Sequence, residues 1–205
     1  MGQIKALDQN MVNMIAAGEV IERPANVVKE LLENSIDAGA TKITVTIENG
    51  GHKLISVSDN GYGMDADDLG RAFASHNTSK IKKSSDLSGI STLGFRGEAL
   101  ASIASVAIVR ATSRTEGDIA GNCIEIDCGD KSSVNACSAD TGSTIEVRDI
   151  FYKLPARRKF LRTANTEFGH IREQFIRIAL AKNSLDMTLW HNGREVYHLA
   201  GDQSL

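Results

Sequence analysis

Apolar residues at Val27, Val28, Leu31, Leu32 and Ile36 recur at three- and four-residue steps, the spacing that keeps side chains on one face of an α-helix. They predict a helix over Pro24–Asp37, with Pro24 at a first-turn position that needs no N–H and Gly39 as the stop. Two runs rich in β-branched residues follow, KITVTIE at 42–48 and KLISVSD at 53–59, and predict strands joined by a hairpin turn at Gly50-Gly51. Asn60, Gly61 and Gly63 then break the second strand, and a short helix is expected over 66–75. Residues 76–93 are serine-spotted, weakly periodic and too long for an ordinary connection, which predicts a lid or a disordered loop. Farther on, the pattern predicts helices over 97–105 and 168–180. It predicts strands over 106–113, 123–127, 143–148, 185–190 and 195–199, the last two around an Asn192-Gly193 turn. With no repeat, low-complexity tract or Pro/Gly linker, this order implies one mixed α/β domain over residues 1–205. No closing signal precedes Leu205, so the chain is expected to be a fragment.

Composition narrows the class. Of 205 residues, 41% are apolar and 24% charged, enough for a sizeable core. The formal charge of −3 carries no bulk signal for a nucleic-acid or membrane surface, so any such patch must be local. Cys123, Cys128 and Cys137 are odd in number and form no CxxC pair, which argues against a disulfide framework and a zinc ribbon and for reduced thiols. No apolar run approaches the roughly 18 residues of a membrane span, and no secretory signal opens the chain, so a cytoplasmic protein is expected. Asn77-Thr78-Ser79 formally matches a glycosylation acceptor and is read as a false positive in that setting. His52, His76, His170, His191 and His198 form no HExxH, and no GxSxG is present, which leaves zinc hydrolysis and serine acyl transfer without an anchor.

Three segments carry candidate chemistry. On the first helix Glu30, Asn34 and Asp37 stand at i, i+4 and i+7, a polar stripe roughly 60° wide opposite the apolar face. A solvated face is the bland alternative. SDNGYGM (58–64) sets Asp59 at a strand end beside glycines that let backbone approach a ligand; such a carboxylate can accept from an exocyclic amine such as that of adenine, or simply cap its own turn. TLGFRGEALASI (92–103) places Gly94 and Gly97 before a helix start, whose free N–H groups suit phosphate oxygens, or merely cap a core helix. Gly89 and Gly94 have P-loop spacing, but Phe95 and Arg96 stand where Lys and Ser/Thr are required.

Taken together and in order, KELLENSIDAGA (29–40), SDNGYGM and TLGFRGEALASI resemble the nucleotide-binding motifs of the GHKL ATPases. IAAGEVIERPANVVKELLENSIDAGA (15–40), HNTSKI (76–81), LGFRGEALASI and FYKLPARRKFL (151–161) resemble, within that superfamily, the MutL DNA mismatch repair family. The likeness runs from about Gln3 to Leu199. It implies a Bergerat-type fold, an α+β sandwich whose mixed sheet carries helices on one face, with ATP and Mg2+ as cofactors. It implies Glu30 as general base, Asn34 as magnesium ligand, and Asp59 as the adenine acceptor, helped by Gly63 and Thr144. The lid would contribute Thr78, Ser79 and Lys80, together with the backbone of Leu93, Gly94, Phe95, Arg96 and Gly97 around the phosphates. A phosphate-contacting lysine would come from a transducer domain after Leu205, so turnover by this chain alone is expected to be slow or incomplete. Asn77, where the family usually has a small residue, and residues 89–92 depart from the family's pattern.

Between Arg148 and Lys182 nine basic residues face three acidic ones, a net of +6 that leaves −9 on the rest. The asymmetry suits a sequence-independent DNA contact, for which Arg157, Arg158, Lys159, Arg162 and Arg177 are the candidates, or a solvated helix pair. By resemblance the partners would be DNA, the mismatch recognition protein MutS, a downstream repair nuclease or helicase, and a second copy in an ATP-dependent homodimer, with no membrane. Two other readings stay open: a catalytically silent ATP-responsive module, and a purely structural DNA-binding domain.

Overall fold

Helix α1 (Pro24–Asp37) forms as its periodicity dictates, with Val27, Val28, Leu31 and Leu32 almost wholly buried. Each of these side chains contributes about 1.5–3 kcal/mol by leaving water. Asn26 reaches back to accept the Arg23 N–H at 3.1 Å, satisfying a donor that the first turn cannot. The helix ends as Gly39 turns left-handed and Gly39 and Ala40 donate to the carbonyls of Ile36 and Ser35.

The computed structural model describes residues 20–74 and 98–201. After α1 come β1 (Lys42–Glu48), a 3-10 turn (Asn49–Gly51), β2 (Leu54–Asp59) and α2 (Ala66–Ala72). The second described stretch runs α3 (Ala99–Val106), β3 (Ile108–Arg114), β4 (Gly121–Asp127), β5 (Asp130–Lys131), β6 (Asn135–Cys137) and β7 (Gly142–Arg148). It closes with α4 (Pro155–Arg158), α5 (Ala164–Ala181), β8 (Asp186–His191) and β9 (Arg194–Leu199). The strands make one mixed sheet in the order β5-β4-β3-β7-β2-β1-β8-β9, with β6 pairing β4 off this path. Among the described residues only the β1–β8 pair is parallel, because α5 supplies the crossover that a parallel return requires.

Strand alternation decides which face is covered. Ile43, Val45 and Ile47 on β1, with Val109 and Ala111 on β3, point into the core, while Thr44, Thr46, Arg110 and Thr112 between them point away. Helix α1 packs on this apolar face beside α5. Stacking of Phe168 on His191, centroids 3.7 Å apart, ties α5 to β8.

Elements with strong periodicity stand within a few residues of their expected bounds. The Gly50-Gly51 pair is the exception in kind: both glycines are left-handed, yet they sit in a 3-10 turn that lengthens the connection instead of a two-residue hairpin. Tertiary contact explains why glycine is needed at position 50, since a Cβ there would collide with the Ala164 backbone at the start of α5. The expected 168–180 helix begins at Ala164, where Thr163 caps it by accepting from Thr166 N. Strands β5 and β6 and the four-residue α4 were too short to leave a periodic trace. The long connection expected over 76–93 lies outside the described residues.

Candidate functional site

A hydrogen bond joins the C-terminal turns of α1 to the end of β2. Ser35, only 3% exposed, donates its hydroxyl to Asp59 Oδ2 at 2.8 Å. Asp59 Oδ1 accepts the Gly61 N–H at 2.9 Å, so the self-capping turn weighed from the sequence forms and occupies one oxygen. A carboxylate has about four lone-pair sites, and these two bonds leave capacity for a further donor.

The turn after Asp59 is sewn to the end of α1. Asn60 Oδ1 accepts the backbone N–H groups of Thr41 and Lys42 at 2.9 and 2.8 Å, and Tyr62 N donates to Ala38 O at 3.0 Å. Gly63 is left-handed at φ +73°, and a Cβ on it would collide with the Arg114 carbonyl. Gly142, at φ +111°, likewise lets β7 start against the Asp59 carbonyl oxygen. A side chain at either glycine cannot be accommodated without moving the site, and the same holds at Gly61, where a Cβ would collide with the Ala38 carbonyl oxygen.

On α1, Glu30 stands one helical turn before Asn34, which precedes Ser35 directly. Residues four apart on a helix have Cβ atoms about 5–6 Å from each other, so a carboxylate and a carboxamide lie side by side next to the Asp59 contact. Lys29 Nζ bridges Glu30 at 3.2 Å and Glu33 at 2.9 Å. Burial pulls the Lys29 pKa down, but the hydrogen bonds and charges of Glu33 and Glu30 outweigh it and the ammonium is held above its ordinary value.

Thr144 is placed differently from Asp59. Register sets Thr144 opposite Ser58, hydroxyls 2.8 Å apart, on the sheet face away from α1. Ser143 is the residue paired with Asp59 and sharing its face. Its hydroxyl lies 2.8 Å from that of Ser113, which is fully buried, donates to Gly142 O at 2.9 Å and accepts from Met64 N at 2.7 Å. Ser35, Ser113 and Ser143 were not legible as site residues. A serine on the helix's covered side, right beside the polar stripe, was the one available signal for Ser35.

Thr78, Ser79, Lys80, Leu93, Gly94, Phe95, Arg96 and Gly97 lie outside the described residues. Of the basic candidates, Arg158, Lys159 and Arg162 are exposed, and Arg177 pairs with Glu173 at 3.0 Å. Arg157 donates to the Ile21 carbonyl at 3.3 Å just before α1 and lies 5.9 Å over the Phe151 ring. Buried Glu167 accepts the Arg162 backbone N–H at 2.9 Å and so anchors this segment to α5. Among the described residues no group of three or more His, Cys, Asp or Glu side chains could cage a metal, and no helix is long and apolar enough to cross a membrane.

Comparison with known proteins adds the following. A family model described as histidine kinase-, DNA gyrase B-, and HSP90-like ATPase matches residues 21–151. The DNA mismatch repair protein MutL of Cellvibrio japonicus is 49% identical over 207 residues, covering 100% of this chain and 33% of that protein. MutL of Serratia proteamaculans is 52% identical, covering 98% of this chain and 33% of that protein. The chain therefore spans about a third of the length of these relatives. Among solved structures, the Aquifex aeolicus MutL ATPase domain complexed with ADP superposes with a TM-score of 0.75 at 35% identity, covering 90% of this chain and 66% of that one. An N-terminal domain of a DNA repair protein superposes with a TM-score of 0.79 at 28% identity, covering 94% of this chain and 57% of that one.

Proposed function

We propose, from the premise that this chain belongs to the histidine kinase-, DNA gyrase B- and HSP90-like ATPase family and to its MutL branch, that it binds ATP at the α1–β2 junction and hydrolyses it. The observation that carries the reading is the Ser35–Asp59 hydrogen bond, which joins the helix bearing Glu30 and Asn34 to the acid at the end of β2.

Asp59 accepts the adenine amine, its rotamer held from both sides by Ser35 and Gly61. Selectivity for adenine follows, because a half-buried acceptor that the bound base closes off from water is left unpaired by a base that presents a carbonyl there. The Asn34 side-chain oxygen is the protein ligand for Mg2+; this hard ion favours octahedral oxygen donors and keeps several waters, so one carboxamide plus phosphate oxygens suits it and no carboxylate cage is needed. When bound, the ion neutralises charge on the phosphates during transfer. Glu30, left free of the metal, takes a proton from the water that attacks the terminal phosphate, a role worth about 10²–10⁴ in rate. Lys29, 3.2 Å from Glu30, orients that carboxylate.

The lid residues Thr78, Ser79 and Lys80 and the 93–97 backbone contact the phosphates, and ATP drives lid closure and homodimerisation. In the cytoplasm the assembled protein works on DNA without sequence preference, with a mismatch recognition protein and a downstream nuclease or helicase as partners.

The test is nucleotide binding and phosphate release measured on the chain and on Glu30→Ala. The variant is expected to bind ATP while losing hydrolysis; hydrolysis at the unaltered rate removes Glu30 from the role. ATP at a hundredfold excess over Kd should stabilise the chain by about 2.7 kcal/mol, and no thermal shift with ATP overturns the site as a whole.

A further inference from the structure

Away from the nucleotide site, two cysteines are brought together by strand pairing. Cys123 lies on β4 and Cys137 on β6, a strand of three residues that pairs β4 outside the main order of the sheet. Register sets Cys123 opposite Asn135 and Cys137 opposite Gly121, so the two cysteines are diagonal neighbours on one face. That face is the outer one, because Ile124 and Ile126 of the same strand turn into the core. Both thiols are half-buried and free. The third cysteine stands apart: Cys128 is 3% exposed and lies just past the end of β4, so four residues of strand and the start of a turn separate it from Cys123.

We propose that Cys123 and Cys137 are a redox-active thiol pair, a modification site at which low-molecular-weight disulfides drive formation of an intramolecular bridge between β4 and β6. In the first step the Cys123 thiolate attacks one sulfur of the oxidant RSSR, the S–S bond of the oxidant breaks, and one RS− leaves. The Cys137 thiolate then attacks Cys123 Sγ in the mixed disulfide and expels the second RS−. Two electrons pass from the protein to the oxidant, and the two thiol protons end on two RSH. Cys137 acts second, because it stands on the three-residue edge strand β6, which can swing toward β4; burial also pushes its thiol up, against the pull of Arg110. Burial pushes the Cys128 thiol up to about 11, which keeps it out of the exchange.

The bridge requires a Cα separation of about 4.4–6.8 Å, against about 7–8 Å for diagonal neighbours in a flat sheet. Strand β6 can make up that difference, since it is short and at an edge. Its position gives the bridge a consequence. The chain leaving β6 is held by Arg114 Nε donating to Ala139 O at 2.8 Å and leads into Gly142, which packs against the Asp59 carbonyl. Stapling β6 therefore restrains the segment that borders Asp59, and the pair stands whether or not that residue binds adenine.

The experiment is incubation of the 205-residue chain with oxidised glutathione, followed by intact mass, alkylation and peptide mapping. The mass should fall by two hydrogens, with the Cys123 and Cys137 peptides joined, Cys128 alkylated only after unfolding, and dithiothreitol restoring all three thiols. Cys137→Ser should instead hold one stable glutathionyl group on Cys123, and Cys128→Ser should form the bridge as the natural chain does. Stable glutathionyl groups on both cysteines of the natural chain, a bridge that includes Cys128, or no oxidation under conditions that oxidise the unfolded chain would each overturn the proposal.

Discussion

Replacing Ser35 with alanine removes a single oxygen from the α1–β2 junction and separates two effects that are usually confounded. The hydroxyl donates to a carboxylate at 2.8 Å from a position only 3% exposed. Hydrogen bonds to charged groups contribute about 1.5–3 kcal/mol, and Asp59 keeps its Gly61 donor, so a stability loss at the lower end, about 1.5 kcal/mol, is expected. Binding should fall for a different reason: Asp59 must now be immobilised when the base arrives, at about 0.5–1.5 kcal/mol for one side chain, which is roughly a 2- to 12-fold rise in Kd. Asp59→Asn gives the upper bound, since it puts a donor where an acceptor is needed. Thermal denaturation without nucleotide and titration calorimetry with ATP read the two effects independently. If Ser35→Ala leaves both the midpoint and the ATP Kd unchanged, the bond does not organise the site and Asp59 is oriented by its own turn alone.

Three further outcomes follow from the same structure. Asn34→Ala should abolish the magnesium dependence of ATP affinity, and an affinity that still rises on adding magnesium refutes the assignment. Burial lowers the pKa of His52, with the Glu167 charge opposing and the Arg158 charge assisting, and burial lowers that of His191 as well. The folded state thus binds fewer protons than the unfolded one, so stability is full above about pH 6.5 and declines as pH falls through that value toward the lower folded ones. Melting midpoints from pH 8 to 5 should show this decline, and an undiminished slope in the double variant His52→Asn with His191→Asn would refute it. Arg158→Glu with Lys159→Glu should weaken binding to unrelated DNA duplexes alike and reduce its salt dependence, whereas loss confined to one sequence would indicate base readout. These two are cleaner than Arg157, whose guanidinium also holds the Ile21 carbonyl.

Much of this protein was readable along the chain. The face of α1, its proline start and glycine stop, and the strands KITVTIE and LISVSD are properties of residues within a few positions of one another, where periodicity and turn chemistry act. The motifs holding Glu30, Asn34 and Asp59 were legible for the same reason, each being a short local word. Gly50 and Gly51 show the limit. Their left-handed conformation was foreseeable from composition, but the exclusion of any side chain at Gly50 comes from Ala164, more than a hundred residues away.

What the fold alone decided is which hydroxyls face the site. Ser35 contacts Asp59 only because α1 lies across the end of β2, and Ser143, not Thr144, shares the Asp59 face because cross-strand register fixes the parity of side chains. A register shift of one residue would exchange Ser143 and Thr144 between the two faces without altering any local preference of the sequence. The same pairing placed Cys137 diagonal to Cys123. Local preferences determine where strands begin and end, whereas the burial of one sheet face against α1 and α5 determines how they align, and that burial is a sum over contacts that no segment makes by itself.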